Sequence, residues 1–473
     1  MGVSMAPCAV VSNPARALVP GSWARRSKVM VKKALGRRPG NWPGAADSSG
    51  AALGPRHSYK GTSDRRAAYS ANKANTGPPL AVPLRHSPVL LPPLTSLPPS
   101  LILLPLLLVQ LWYWAQYFRP FTRRPIEAPG DEPGPDSEPI SLILCAHNEL
   151  DNLRELVPIL LKQDYPAGFE LVLINDRSHD ETEFYAQQLA QYYPGRFRLV
   201  TVTHTPAGFS PKKYALTLGI KAARYERLLF TDADCRPVTY DWLRLMQRGF
   251  SQKNGADMVL GFSGYTEEPG LLNQLIRYET LLTAAQYLGL AWASRPYMGV
   301  GRNLAYTRRI FQATKGFASH IRRLSGDDDL LVQDAVALGA RVAVVADPAA
   351  QTLSEPARTW AGWWRQKRRH LSAGSRYRAP DRFRLAIFMG SNVLFYLLTP
   401  AVLAVSLSSE NIISLGVLWL ARTLLLLLAY IPLARRLGQT LPAAALPFFD
   451  FLYLAFYCAW GLSLLVRRPL QWK

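Results

Sequence analysis

The stretch Arg227-Leu228-Leu229-Phe230-Thr231-Asp232-Ala233-Asp234 is a short apolar run that stops abruptly in two carboxylates one residue apart. A run of this length, rich in large apolar side chains and closed by polar groups, reads as a buried strand. The design recurs upstream. Residues 140–145 read as a strand ending in Ala146-His147-Asn148-Glu149, and residues 169–175 as one ending in Asp176-Arg177-Ser178-His179-Asp180. A further strand is predicted over 197–203. Helical patterns fill the gaps: 152–162, with Leu153, Leu156, Val157, Leu160 and Leu161 on one face, then 181–193, 212–223 and 240–250. Strand–helix alternation predicts a largely parallel, doubly wound α/β sheet. Such sheets bind ligands past the carboxyl ends of their strands, where these acidic groups fall.

A lone Asp at a strand end is ordinarily a helix N-cap, and Asp180 reads that way. Repeated acidic strand ends are different, because carboxylates crowded together repel unless a cation or donor neutralises them. The Asp-x-Asp at 232 and 234 suits a divalent Mg2+ or Mn2+ held through one or two carboxylates plus ligand phosphates.

The 473 residues suffice for one large domain or two to three ordinary ones. Apolar residues, 49% of the chain, cluster in four blocks. The first, within 99–118, closes in Trp112, Tyr113, Trp114, Tyr117 and Phe118 followed by Arg119, Arg123 and Arg124, the aromatic belt and cations of a membrane span. Three more follow, at about 384–406, 411–433 and 443–466, so that 384–466 forms a set of three spans. Arg435 and Arg436 separate the last two, whereas the Ser408–Asn411 link carries no cation. The positive-inside rule puts that link outside and the 138–373 domain in the cytoplasm; the expected location is a bacterial inner (plasma) membrane. Both termini then lie outside, which the basic N-terminal segment and Arg467-Arg468 oppose. Residues 1–88 read as a disordered basic tail, or as a product of a mis-assigned translation start; within 1–85 there are 14 Lys and Arg against 2 Asp. The tail lacks interleaved aromatics and any binding module, so no nucleic acid is expected as a partner. Cys8, Cys145, Cys235 and Cys458 show no paired spacing, which argues against a zinc site or a disulfide framework.

Downstream come Tyr297-Met298-Gly299-Val300-Gly301-Arg302-Asn303-Leu304, a close-approach loop, and Ser325-Gly326-Asp327-Asp328-Asp329-Leu330. Trp363-Trp364-Arg365-Gln366-Lys367-Arg368-Arg369-His370 follows, whose basic character also suits anionic lipid headgroups. Over residues 138–373 and the flanking spans the chain resembles glycosyltransferase family 2, the group that includes cellulose, chitin and hyaluronan synthases.

The resemblance implies a GT-A-type (nucleotide-diphospho-sugar transferase) fold. It assigns Glu149 and Asp176 to the nucleoside, and Asp232 and Asp234 to the metal, with Asp234 the direct ligand and Asp232 also toward the donor. Lys213 is placed near the nucleotide, and Gly301, Arg302 and Asn303 at the acceptor loop. Asp328 is the general base, with Asp327 and Asp329 as neighbouring candidates. Gln366 and Arg369 match a Gln-x-x-Arg-Trp signature whose Arg meets the donor pyrophosphate; His370 replaces its Trp, which weakens the case for a processive polymerase. The implied activity is metal-dependent, inverting transfer of a sugar from a nucleoside-diphosphate sugar, in the first place a UDP-sugar, to a glycan or lipid-phosphate acceptor, with membrane lipids around the spans. Residues 271–292, apolar and helical, read equally as an interfacial helix or a core helix. A sugar nucleotidyltransferase would carry a Gly-rich phosphate loop where Ala146-His147-Asn148-Glu149 stands. A non-catalytic membrane scaffold would not need every expected carboxylate.

Overall fold

The computed structural model describes residues 97–123, 138–252 and 255–465; the basic tail and Arg467-Arg468 lie outside them. The strands are β1 (Ile140–Ala146), β2 (Phe169–Asp176), β3 (Phe197–Val202), β4 (Arg227–Asp232), β5 (Cys235–Pro237), β6 (Met258–Gly261), β7 (Ser263–Tyr265), β8 (Leu304–Thr307), β9 (Val342–Val345) and β10 (Thr352–Ser354). The helices are α1 (Pro99–Arg123), α2 (Leu150–Leu161), α3 (Thr182–Tyr192), α4 (Pro211–Ala222), α5 (Trp242–Ser251) and α6 (Leu271–Trp292). They continue with α7 (Arg308–Ala313), α8 (Asp329–Ala337), α9 (Trp360–Gly374), α10 (Ala379–Val405), α11 (Ser409–Arg436) and α12 (Leu446–Leu465).

Seven strands form the main sheet in the order β3-β2-β1-β4-β8-β6-β9, with β8 antiparallel to both neighbours and the other pairings parallel. A parallel sheet is covered on both faces, so its strands are apolar throughout rather than alternating. Alternate side chains of β1 and β2 accordingly enter two cores. Leu142, Leu144, Leu171 and Leu173 pack with Leu153, Leu156, Val157 and Leu160 of α2 and with Trp242 and Met246 of α5. Ile143, Val172 and Ile174 pack with Ala215, Leu216 and Ile220 of α4. A small second sheet, β5-β10-β7, flanks the main one.

Helices α1, α10, α11 and the last span (Ala443–Ser463) are long and apolar enough to cross a membrane. The sequence reading of 271–292 resolves toward the core: α6 is buried along most of its length. Tyr278 of α6 stacks on Tyr430 of α11, ring centroids 5.1 Å apart, and donates a 2.7 Å hydrogen bond to Asp450 of α12. A Cβ at Gly289 would lie 3.1 Å from the Tyr117 carbonyl oxygen of α1, so this close crossing favours glycine. Just past α11, Gln439 donates to Gln351 of the sheet domain at 3.0 Å, so the Arg435–Arg436 end of the span faces that domain.

Candidate active site

The carboxyl ends of β1, β2 and β4 meet the loop before β8 and the start of α8, and Cys145 stands at their centre. Burial first, then the Asp176 carboxylate, with Asp232 and Asp327 adding to it, pushes its thiol well above the ordinary range, so acids from three segments converge there. The register explains this: Cys145 pairs with Asp232 across β1–β4 and Ala146 with Asn175 across β1–β2, levelling the acidic strand ends.

The cluster is bridged by Lys212, whose ammonium lies 3.0 Å from Asp232 and 3.2 Å from Asp327. Lys213, the lysine expected at the nucleotide, points elsewhere. Successive residues on a helix with 3.6 residues per turn differ by about 100°, so only one of the pair can face the cleft. The Lys213 ammonium is buried and donates to His320 Nδ1 (2.8 Å) and to the carbonyls of His320 and Ser325 (2.9 Å each). Burial lowers it to about 8. Burial and that ammonium lower His320 to about 4. Lys213 therefore anchors the loop that carries Asp327, and Lys212 is the cation of the cleft.

The acidic triplet divides three ways. Asp327 faces Lys212, whose charge overrides the upward effect of burial and holds its carboxyl below the usual value. Asp328 accepts from the backbone N–H of Gly301 and of Asp329, both at 2.9 Å, and caps α8. Burial and then the Asp327 charge raise its carboxyl. Both line a cleft shared with Lys212, Asp232 and Gly301. Asp329 is buried and accepts from the Tyr377 hydroxyl at 2.5 Å.

At the β1 and β2 ends, Glu149 accepts from Asn152 (2.7 Å), and Asp180 ties the two loops by accepting from the N–H of Leu150 (3.3 Å) and Thr182 (3.1 Å). The buried Asp176 is not bare: Arg177 holds both its oxygens, at 2.8 and 3.3 Å. Asn148 and Arg177 both adopt positive φ, 56° and 55°, a conformation that costs of order 1 kcal/mol in a non-glycine residue and clusters at functional turns. Neither Arg177 nor Lys212 was singled out from the sequence; their adjacency to Asp176 and Lys213 was the available signal.

Asp234 accepts from Ser354 (3.1 Å) and from the Cys235 thiol (3.5 Å). Among the described residues no ready-made cage of three or more His, Cys, Asp or Glu ligands exists. The oxygen donors of Asp232 and Asp234 are the kind a hard Mg2+ or Mn2+ ion takes, and such an ion would need further oxygen ligands from a bound substrate.

Arg302 lies over the Tyr265 ring, 4.5 Å from its centroid, and Gln366 of α9 donates to the Tyr265 hydroxyl at 3.4 Å, so loop and helix meet on that ring. Arg369 contacts His370 on the same helix (3.3 Å). Asn303 departs from the expected acceptor role. It is fully buried, accepts from the Trp242 indole (3.0 Å) and donates to the carbonyls of Phe262 (2.7 Å) and Ala350 (2.9 Å). An amide so committed braces the sheet beneath the loop.

A mostly parallel sheet, helices on both faces and carboxylates gathered at its carboxyl edge make up the GT-A layout of nucleotide-sugar transferases. Residues 141–314 match the family model described as "Glycosyl transferase family 2". The chain is similar to "Probable glycosyltransferase YdaM" of Bacillus subtilis (strain 168), 28% identical over 244 residues, covering 50% of this chain and 55% of that protein. It is also similar to "Poly-beta-1,6-N-acetyl-D-glucosamine synthase" of Staphylococcus epidermidis, 31% identical over 97 residues, covering 20% and 22% of the two chains. The chain thus spans about half or less of the length of these relatives. Among solved structures it resembles mannosyltransferase PcManGT from Pyrobaculum calidifontis in complex with GDP-Man and Mn2+, at 19% identity, a TM-score of 0.48, and 78% and 98% coverage.

Proposed function

We propose that the chain is a membrane-bound, inverting glycosyltransferase that moves a sugar from a nucleoside-diphosphate sugar to the hydroxyl of a glycan or lipid-linked acceptor. The observation that carries this reading is Lys212 set between Asp232 and Asp327 with Asp328 alongside, in a chain that matches the family 2 model. Transfer expels a nucleoside diphosphate, whose growing charge needs fixed positive partners. Lys212 is one, and Arg369 on α9 is offered as a second. A Mg2+ or Mn2+ ion held by Asp234 and Asp232 would supply further positive charge to the diphosphate. Glu149 and the Asp176–Arg177 pair hold the nucleoside, and Gly301 and Arg302 border the acceptor.

An acceptor hydroxyl is a poor nucleophile near neutral pH, so a carboxylate must take its proton. Asp328 suits this better than Asp327. Its pKa is raised toward the working range, whereas Lys212 makes Asp327 a weaker base. Attack from the face opposite the leaving diphosphate inverts the anomeric carbon in one displacement.

The Arg435–Arg436 end of α11 shares a side with the domain, and the positive-inside rule makes that side cytoplasmic. Both curated relatives are bacterial, which supports a plasma-membrane location.

The test is nucleoside-diphosphate release by detergent-solubilised protein offered a panel of donors that includes UDP-N-acetylglucosamine, with Mn2+, with and without a lipid-phosphate acceptor. Asp328→Asn should lower turnover at least ~100-fold, the usual size of a general-base contribution, with nucleotide binding retained. Unchanged turnover removes Asp328 from the mechanism.

A further inference from the structure

Three aspartates in a row are more than the proposed chemistry uses. Asp327 and Asp328 line the cleft and Asp329 does not. Asp329 opens α8, where its buried carboxyl accepts from the Tyr377 hydroxyl at 2.5 Å. Gln333, one helical turn further along α8, meets the same stretch of chain. It donates to the Tyr297 carbonyl (2.7 Å) and to Asp381 (3.2 Å), and accepts from the Arg378 N–H (3.0 Å). Asp381 is buried and is held in turn by Arg378 (3.1 Å) and Arg384 (2.7 Å). Tyr377 also packs edge-on against Tyr297, ring centroids 5.8 Å apart.

Tyr377, Arg378 and Asp381 sit where α9 passes into the membrane-spanning α10. From α1, Tyr113 adds a 2.7 Å hydrogen bond to the Arg384 carbonyl. Two consecutive turns of α8 are therefore fastened to the membrane end of α10. The Gly299–Gly301 loop that grips Asp328 begins just after Tyr297, which the same residues hold. Both anchors of Asp328, the Gly301 N–H and the first turn of α8, trace back to this junction.

We propose that Asp329 and Tyr377 are positioning residues, a latch by which the start of α10 sets where the Asp328 carboxylate stands. Their role is to fix geometry; neither touches substrate. A buried carboxyl whose partner is a phenol hydroxyl serves as an acceptor, so an amide oxygen can replace it. Asp328, as a base, has no such substitute. The proposal rests on the transferase reading above, and its test separates the two.

The full chain in lipid nanodiscs is assayed for nucleoside-diphosphate release as Tyr377→Phe, Asp329→Ala and Asp329→Asn. Tyr377→Phe and Asp329→Ala should lower kcat at least tenfold, with donor KM and nucleoside-diphosphate Kd within twofold of the unaltered protein. Asp329→Asn should recover most of the loss seen in Asp329→Ala. Hydrogen exchange provides an activity-free readout: Tyr377→Phe should speed exchange at the Gly301 and Asp329 amides, which the Asp328 carboxylate protects, while the β1 and β2 amides stay unchanged. Equal damage from Asp329→Asn and Asp329→Ala, or unaltered kcat and exchange in Tyr377→Phe, overturns the latch. If the unaltered protein turns over no donor, the transferase reading fails, and hydrogen exchange alone then decides the latch.

Discussion

Replacing Lys212 by Met removes the cation that bridges two carboxylates while keeping much of the side-chain volume. At 3.2 Å and an effective dielectric near 20, the attraction between Lys212 and Asp327 is about 5 kcal/mol before desolvation is subtracted. Stranding a fully buried charge costs about 3–5 kcal/mol. The side chains of Lys212, Asp327 and Asp232 are 18%, 14% and 31% exposed, so water compensates part of the loss. That leaves about 2–3 kcal/mol, a large share of the 5–15 kcal/mol that separates folded from unfolded protein. In thermal unfolding of the detergent-solubilised protein near pH 7.5 this amounts to a fall of roughly 5–10 °C in Tm, taking about 2–4 °C per kcal/mol for a domain of this size.

The sign with pH follows from Asp327. Lys212 keeps its folded-state pKa depressed, so it contributes stability above the unfolded aspartate pKa, lost as pH falls through the lower folded value. Without Lys212 the upward effect of burial on that carboxyl is less opposed, and part of the penalty is relieved by protonation in acid. The Tm gap between the two proteins should therefore narrow as pH drops from 7.5 toward about 4, near the unfolded aspartate value. A Tm within 1 °C of the unaltered protein at pH 7.5, or a gap that widens in acid, refutes the bridging role.

Two more outcomes are expected. Asn303→Ala strands the Trp242 N–H and two carbonyls, which should cost about 2–4 kcal/mol at roughly 1 kcal/mol per lost bond; nucleoside-diphosphate affinity should stay within threefold below the lowered Tm, and a stable protein with lost binding would return Asn303 to the site. Because burial and the Asp327 charge raise the Asp328 pKa, activity should fall on acidification at a pH above the ordinary aspartate range. Asp327→Asn removes the charge contribution and should move that acid limb of kcat to lower pH; a limb that stays put or moves up counts against Asp328 as the base.

The alternation of apolar strands and amphipathic helices was enough to determine the doubly wound sheet, since a strand buried on both faces must be apolar along its core, as residues 142–145 and 228–230 are. It also determined that acids would collect at one edge: in a parallel sheet every strand delivers its carboxyl end to the same side. The four long apolar helices were legible for a similar reason, because hydrocarbon demands continuous apolar length. What remained open was which of two adjacent side chains faces the cleft. Lys212 and Lys213 are chemically identical, and their difference is a rotation of about 100° that only the packing of α4 on the sheet decides. The acidic triplet shows the same limit. Its three identical side chains become an ion-paired acid, a helix-capping carboxylate and a buried anchor only through Lys212, Gly301 and Tyr377, which lie 115, 27 and 48 residues away in the chain. Residue type and local period are written in the sequence, whereas partnerships over such separations exist only once the chain has folded.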